Sequence, residues 1–388
     1  MASFEALYGR RCRSPIGWFD SAEMDSLDAD LLRDVMEQVH LTFEEEPIDI
    51  LDRHVRKLRT KEIASVKVQW KYRSVEEATW ETESDMSARY PHIFEAPHKM
   101  NTFINIEEFK KKVIFVMGAT GTGKSRLSVD LATHFRGEII NSDKMQVYKG
   151  LEIVTNKITH TEKQGVRHYL LGEIEPDSDF TAEDFCLQAI IYIEKILKTQ
   201  RVPIIVGGSN SYIEKHVEDH VFMFKYKYDS CFIWIDVEQS VLNRKVDMRV
   251  DQMVKAGLVD EVRQIFIPDA DYTKGIRRSI GVPEMDRYLR EETNIDGDDE
   301  SKKIILQALI SSIKRNTRML ICNQLDKIQR LISEKMWSVH HIIATDVFKE
   351  DRKEDLDEAW TNIVLLPCLD IVKRFLKNDH HNIIIECT

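Results

Sequence analysis

Residues 112–125 read KVIFVMGATGTGKS, and this stretch decides the fold. Lys112–Met117 is a short, β-branched, apolar run, the pattern of a strand buried on both faces. Gly118–Ser125 follows at once and fits G-x-x-x-x-G-K-[ST], with Gly118, Gly123, Lys124 and Ser125 at the fixed positions. The spacing has a physical cause. Glycines let successive backbone amides turn inward around an anion, so Ala119, Gly121 and Thr122 become phosphate-binding candidates. The amphipathic stretch Arg126–His134 reads as a helix whose positive end points at the same place. Lys124 adds a mobile cation, and Ser125 adds a hydroxyl able to ligate magnesium. From average composition, a chance match in a chain this long has odds of about one in a hundred. A phosphate or diphosphate site follows. NTP hydrolysis, phosphoryl transfer, nucleotide switching and diphosphate-releasing chemistry all use such a loop.

Working outward, Glu138–Asn141 (EIIN), Val202–Val206 (VPIIV) and Cys231–Ile235 (CFIWI) read as three further short strands. Thr181-x-x-Asp184 has the form of a cap opening a helix to about Gln200. Another helix begins near Glu238. Strands alternating with helices imply βαβ units. The expected fold class is α/β: a P-loop NTPase-like parallel sheet flanked by helices. Beyond about residue 258 strands become scarce, and Ile304–Ile332 carries apolar residues at helical spacing, so a helical insertion and C-terminal helical part are expected. Asp143, just past the carboxyl end of EIIN, lies where ligand groups converge in open α/β sheets, able to accept a proton or hold a metal. Asp236 after CFIWI is a magnesium-orienting candidate on a kinase or hydrolase reading, or a cap for the next helix.

The 388 residues leave room for two or three domains. No apolar run reaches the roughly 18 residues of a membrane span. The six cysteines (Cys12, Cys186, Cys231, Cys322, Cys368 and Cys387) form no CxxC pair, which fits a reducing compartment and no thiolate metal site. Lys plus Arg is 55 and Asp plus Glu 66, a formal charge of −11. A globally basic nucleic-acid binder is disfavoured. The first hundred residues hold 14 basic and 20 acidic side chains, over half of that excess. No signal or transit peptide is visible there; a soluble intracellular protein is expected, its compartment undecided between plastid and cytosol.

Five ordered motifs then carry a resemblance: GATGTGKS (118–125), NSDKMQVYKGL (141–151), VPIIVGGSNSYI (202–213), RKVDMRVDQMVKAGLVDEVR (244–263) and GIRRSIGVPE (275–284). Over about 110–335 the chain resembles the isopentenyltransferase family, on the side of its plant adenylate isopentenyltransferases; the tRNA dimethylallyltransferases share the framework. The resemblance implies transfer of a dimethylallyl group from dimethylallyl diphosphate to the exocyclic amine of AMP, ADP or ATP, with loss of diphosphate, as the first step of cytokinin biosynthesis. It implies Asp143 as the base, Thr120 on the bridging oxygen, and Lys124, Arg249 and Arg244 on the diphosphate, with magnesium at Ser125. Ser209 and Asn210 would contact adenine or ribose. Arg277, with Arg278, Lys157 and His168, is a weaker candidate for the nucleotide phosphates. A tRNA acceptor or a small-molecule kinase are the alternatives. Cys368, His380, His381 and Cys387 lack zinc-finger spacing, and residues 101–388 carry −5, which favours a free nucleotide over tRNA.

This sequence departs from the family pattern at Arg167, Tyr169, Lys215, His216 and Asn323, where Pro, His, two small or apolar residues and Arg are usual. The phosphate loop and Asp143 are untouched, so the basic chemistry is expected to persist. The N-terminal quarter is different in kind. VKVQW (66–70), ATWE (78–81) and a short helix resemble a degenerate chromodomain of gypsy-type retroelement polyproteins, and FEALYGRRCRSPIGW (4–18) resembles a piece of their integrase region. Trp70 and Tyr72 could form part of a methyl-lysine cage, although Pro47 stands near where its first aromatic belongs; Trp70 and Trp80 as core of a small β fold is the plainer reading. The expected organisation is 1–45 disordered, 46–100 chromodomain-like, and 108–388 the P-loop domain, joined as a chimeric or transposon-derived fusion.

Overall fold

The computed structural model describes residues 47–57, 62–70, 78–94, 110–292, 299–349 and 353–377. The disorder expected over 1–45, the integrase-like piece, Tyr72, His380, His381 and Cys387 lie outside them. The chain divides into two compact units, on either side of the Phe109–Lys110 junction.

In the first unit, β1 (Pro47–Lys57), β2 (Glu62–Trp70) and β3 (Thr79–Thr82) form an antiparallel sheet in that order, followed by helix α1 (Glu83–Arg89). Alternation along β2 puts Val66, Val68 and Trp70 on one face, where they bury against Met86 of α1. Trp70 is therefore core, its indole donating to the Thr79 hydroxyl at 2.8 Å. Trp80 is not; it is 49% exposed, with the His54 ring against it edge-on.

The second unit is built on a six-stranded parallel sheet: β4 (Lys111–Met117), β5 (Gly137–Asn141), β6 (His168–Tyr169), β7 (Val202–Val206), β8 (Tyr228–Asp236) and β9 (Val339–Ile343). Their spatial order is β6-β5-β7-β4-β8-β9. The predicted apolar runs form β4, β5, β7 and the core of β8. Ile114, Val116, Ile139, Ile204 and Ile233 are fully or almost fully buried. Helices α2 (Lys124–Phe135), α3 (Ala182–Lys198) and α4 (Asn210–Glu218) follow β4, β6 and β7, and α5 (Gln239–Lys255) and α6 (Leu258–Ile265) follow β8. The Thr181–Asp184 capping box is present at the start of α3, with reciprocal hydrogen bonds. Then come α7 (Val282–Glu292), the 35-residue α8 (Asp299–Ser333), α9 (Lys353–Trp360) and α10 (Leu366–Lys377). Trp360 is buried against Gly123 of the loop, its indole donating to Asp130 at 3.0 Å.

Two strands escaped the sequence. β6 is two residues long and exists through its pairing with β5. β9 reads VHHII and lies at the sheet edge. There His341 stacks on Trp234 and meets the Asp236 carboxylate at 2.9 Å. Asp236 is thus committed to His341, and Glu238 rather than Asp236 holds the cap position of α5.

Candidate active site

In a parallel sheet the loops at the carboxyl ends of the strands face one side. Here those after β4, β5 and β7 meet helices α5 and α8 around a cavity of about 430 Å³. The phosphate loop holds its shape through glycine. Gly118, Gly121 and Gly123 all have positive φ, and a Cβ on Gly118 would lie 2.6 Å from the Ile235 carbonyl oxygen. The Thr122 hydroxyl donates to the Ala119 carbonyl at 2.9 Å, which closes the turn.

Lys124 is buried beneath the loop, and its ammonium donates to the same Ala119 oxygen at 2.6 Å. Burial pushes its pKa down to about 8; Asp143 opposes that shift, and Arg249 adds to it. Ser125 stands exposed on the first turn of α2. Asp143 is one strand removed from the loop, since β7 lies between β5 and β4. It nevertheless reaches the same cavity as Thr120. Its Oδ1 accepts the Met145 amide at 2.9 Å, which fixes the carboxylate in an Asx turn.

The turn after β7 completes this wall. The Ser209 hydroxyl accepts the Lys144 amide at 3.0 Å, and buried Asn210 donates to the Gln324 carbonyl at 3.1 Å. The Asn210 Oδ1 is buried without a protein partner.

Arg249 projects from α5 into the cavity beside Val246, Val250 and Met253, a stripe at helical spacing. Its guanidinium lies close to Gly121 of the loop, and burial lowers its pKa. Arg244 does not join it. Five residues along a helix is about 140° of rotation off Arg249's face, and Arg244 is exposed outside the cavity. Arg277 is likewise directed elsewhere, into an ion pair with Asp177. Its neighbour Arg278 lines the cavity instead, donating to the Tyr148 hydroxyl at 3.0 Å. Lys157 is buried against Gly150 and Glu152, and the His168 ring meets the Val166 carbonyl; neither lines the cavity.

Sequence reasoning missed Lys144, Lys327 and Gln324, all on the wall. Burial, Lys327 and Arg278 together lower the Lys144 pKa. The available signal was the face of α8: Ile313, Thr317, Leu320, Gln324 and Lys327 recur at three- and four-residue spacing, an apolar stripe turning polar. Four cations (Lys144, Arg249, Arg278 and Lys327) thus ring a cavity whose single lining carboxylate, among the described residues, is Asp143. Such a site suits a polyanionic ligand with one apolar arm.

Most departures from the family pattern lie off this wall. Arg167 covers the Tyr169 ring, which stacks on Tyr192 while its hydroxyl donates to Glu138 at 2.8 Å. Lys215 pairs with Glu183, and His216 is buried. Asn323 does line the cavity.

The family model described as IPP transferase matches residues 146–224 and 218–330. Adenylate isopentenyltransferase 5, chloroplastic, of Arabidopsis thaliana is 54% identical over 276 residues, covering 70% of this chain and 83% of that protein. Adenylate isopentenyltransferase 7, mitochondrial, of the same plant is 49% identical, with 71% and 85% covered. The tRNA dimethylallyltransferase 2 of that plant is 31% identical, with 72% and 84% covered. Among solved structures, the tRNA isopentenylpyrophosphate transferase of Bacillus halodurans superposes with a TM-score of 0.54 at 26% identity, covering 70% of this chain and all of that one. A eukaryotic dimethylallyltransferase acting on tRNA shares the fold, with a TM-score of 0.57 at 23% identity, covering 69% and 80%. The chain belongs to the isopentenyltransferase family, beside the plant adenylate isopentenyltransferases.

Proposed function

We propose that this protein transfers the dimethylallyl group of dimethylallyl diphosphate to the exocyclic amine of the adenine of AMP, ADP or ATP, releasing diphosphate. This is the reaction that opens cytokinin biosynthesis. The observation that carries the reading is the joint wall of the cavity. Thr120 of the phosphate loop, a buried guanidinium, an apolar stripe and one oriented carboxylate face the same space. A kinase needs no five-carbon apolar compartment next to its phosphate site.

The chemistry can be assigned to these residues. Diphosphate leaves when the allylic C1–O bond breaks, and its developing charge needs fixed donors. The loop amides, Lys124 and Arg249 supply them, with the Thr120 hydroxyl on the bridging oxygen. Val246, Val250 and Met253 enclose the apolar chain. Asp143 takes the proton that the amine nitrogen loses as its lone pair forms the bond to C1. A positioned base of this kind contributes roughly 10²–10⁴-fold. Ser209 and Asn210, on the same wall, face the adenine or ribose, and Lys144, Arg278 and Lys327 meet the nucleotide phosphates.

Magnesium fits this donor set. The ion keeps several waters and binds substrate phosphates, and in phosphate-loop proteins the loop's Ser or Thr hydroxyl is one of its few protein ligands. No group of three or more His, Cys, Asp or Glu among the described residues could cage it alone, while the exposed Ser125 hydroxyl beside the loop offers a single contact. Bound there, it would neutralise charge on the departing diphosphate.

Incubation of the purified chain with labelled dimethylallyl diphosphate and, separately, AMP, ADP, ATP and an unmodified tRNA tests the reading. Label is expected in a mononucleotide. Label in the tRNA alone would favour the tRNA-modifying relatives, and ATP hydrolysis without any prenylated product would point to a P-loop hydrolase. Among the described residues no helix is long and apolar enough to cross a membrane.

A further inference from the structure

Gln324 sits in the middle of α8, yet its side-chain amide is spent on two loops far away in sequence. Its Oε1 accepts the Thr120 amide of the phosphate loop at 2.8 Å, across 204 positions. Its Nε2 donates to the Gly208 carbonyl at 3.0 Å. The backbone carbonyl of the same residue accepts Asn210 Nδ2 at 3.1 Å. The side chain is buried. Because one partner is an N–H and the other a carbonyl, only one orientation of the amide satisfies both. A glutamate could not donate to Gly208, and a methionine could do neither.

The glycines around it point the same way. A Cβ on Gly208 would lie 2.3 Å from Gln324 Nε2, and a Cβ on Gly207 would lie 2.3 Å from Ser142 Oγ and 2.8 Å from the Asp143 amide. The two glycines therefore let one turn press against the loop carrying Asp143 on one side and against Gln324 on the other. The Thr120 amide, held by Gln324, is withdrawn from the anion, and Thr120 still lines the cavity.

We propose that Gln324 is a positioning residue that sets the spacing between the leaving diphosphate and the attacking amine. It fixes Thr120 on the donor side and the Gly208–Asn210 turn, packed on Asp143, on the acceptor side. This inference rests on the prenyl-transfer reading above. Holding two reactants in an attack geometry is worth large factors, and misplacement by about 1 Å costs about 10²-fold.

The test is Gln324→Met and Gln324→Glu in the full chain, with labelled dimethylallyl diphosphate and AMP. Two products are measured. In transfer, the C1–O electrons leave with diphosphate, and the amine nitrogen bonds C1. In the side reaction, water bonds C1 instead, giving the prenyl alcohol, diphosphate and a proton to solvent. Loss of positioning lowers kcat for transfer by about 10²-fold with KM for either substrate changed less than about threefold, and it raises the alcohol's share of the diphosphate released. A fall in both products in proportion reports only fewer folded molecules and overturns the proposal, as does a rate near wild type. Gly208→Ala, which pushes Gln324 from the turn, is expected to raise the alcohol share in the same way; an unchanged share there also overturns it. If the wild-type chain prenylates no nucleotide, the underlying reading fails instead.

Discussion

His216 offers a prediction whose size follows from its surroundings. Its ring is fully buried, edge-on to Phe185 and 4.5 Å from Phe224, and neither nitrogen has a partner. Burial alone pushes the pKa down to about 3 from an ordinary 6.5. The folded state therefore binds fewer protons than the unfolded chain between those values, so stability falls as pH falls through that window. At about 1.4 kcal/mol per unit, about 2 kcal/mol is lost between pH 6.5 and 5, and more than 4 by pH 3. Even the neutral ring leaves a donor and an acceptor unpaired, at about 1–3 kcal/mol for each. In His216→Leu both penalties disappear. Urea midpoints from pH 8 to 5, with wild type and variant compared at each pH, cancel the other titrating groups. The variant is expected to be at least as stable at pH 8, with its advantage growing by about 2 kcal/mol at pH 5. A pH-independent gap would refute the reasoning, because it would mean that the ring is solvated or partnered.

Two further predictions concern the site. Gly118→Ala, at φ +150°, places a Cβ against the fixed Ile235 carbonyl, whereas Gly165, at φ +77°, has open space around it. Gly118→Ala should cost about 3 kcal/mol or more in unfolding free energy, conformational strain plus overpacking, and Gly165→Ala only about 1–2; equal losses in a urea titration would contradict the geometry. Arg249→Ala should lower kcat/KM for the prenyl donor by about 10²-fold or more, while Arg244→Ala, on the outer face of α5, stays within about twofold; a reversed order in steady-state kinetics would move the diphosphate clamp to Arg244.

The parallel sheet was legible because its central strands are short and apolar on both faces, as in KVIFVM and VPIIV, and because glycine punctuates the loop after β4. β9 was not legible: an edge strand carrying His340 and His341 lacks the apolar run that marks a buried one. In the site, the contiguous loop and Asp143 could be read off local sequence. Arg249 and Arg244 are the same residue type five positions apart, and only helical phase separates them. Gln324 was hidden for another reason. Its partners are backbone atoms brought to it by the folding of β4 and β7, and a polar residue in a long helix reads as surface. Trp80 shows the same limit in the first unit, where aromatic character alone suggested burial that the sheet's alternation denies.

The central claim is that Asp143 faces the leaving diphosphate across one cavity and takes the proton of the adenine amine. It is tested most directly by the single-turnover rate of prenyl transfer in Asp143→Asn, with donor binding measured in parallel. The amide keeps the volume and an acceptor for the Met145 amide but cannot take the proton. Transfer is expected to fall by about 10²–10⁴-fold with donor affinity nearly unchanged. A rate near wild type would contradict the account, and so would a loss explained by donor binding alone.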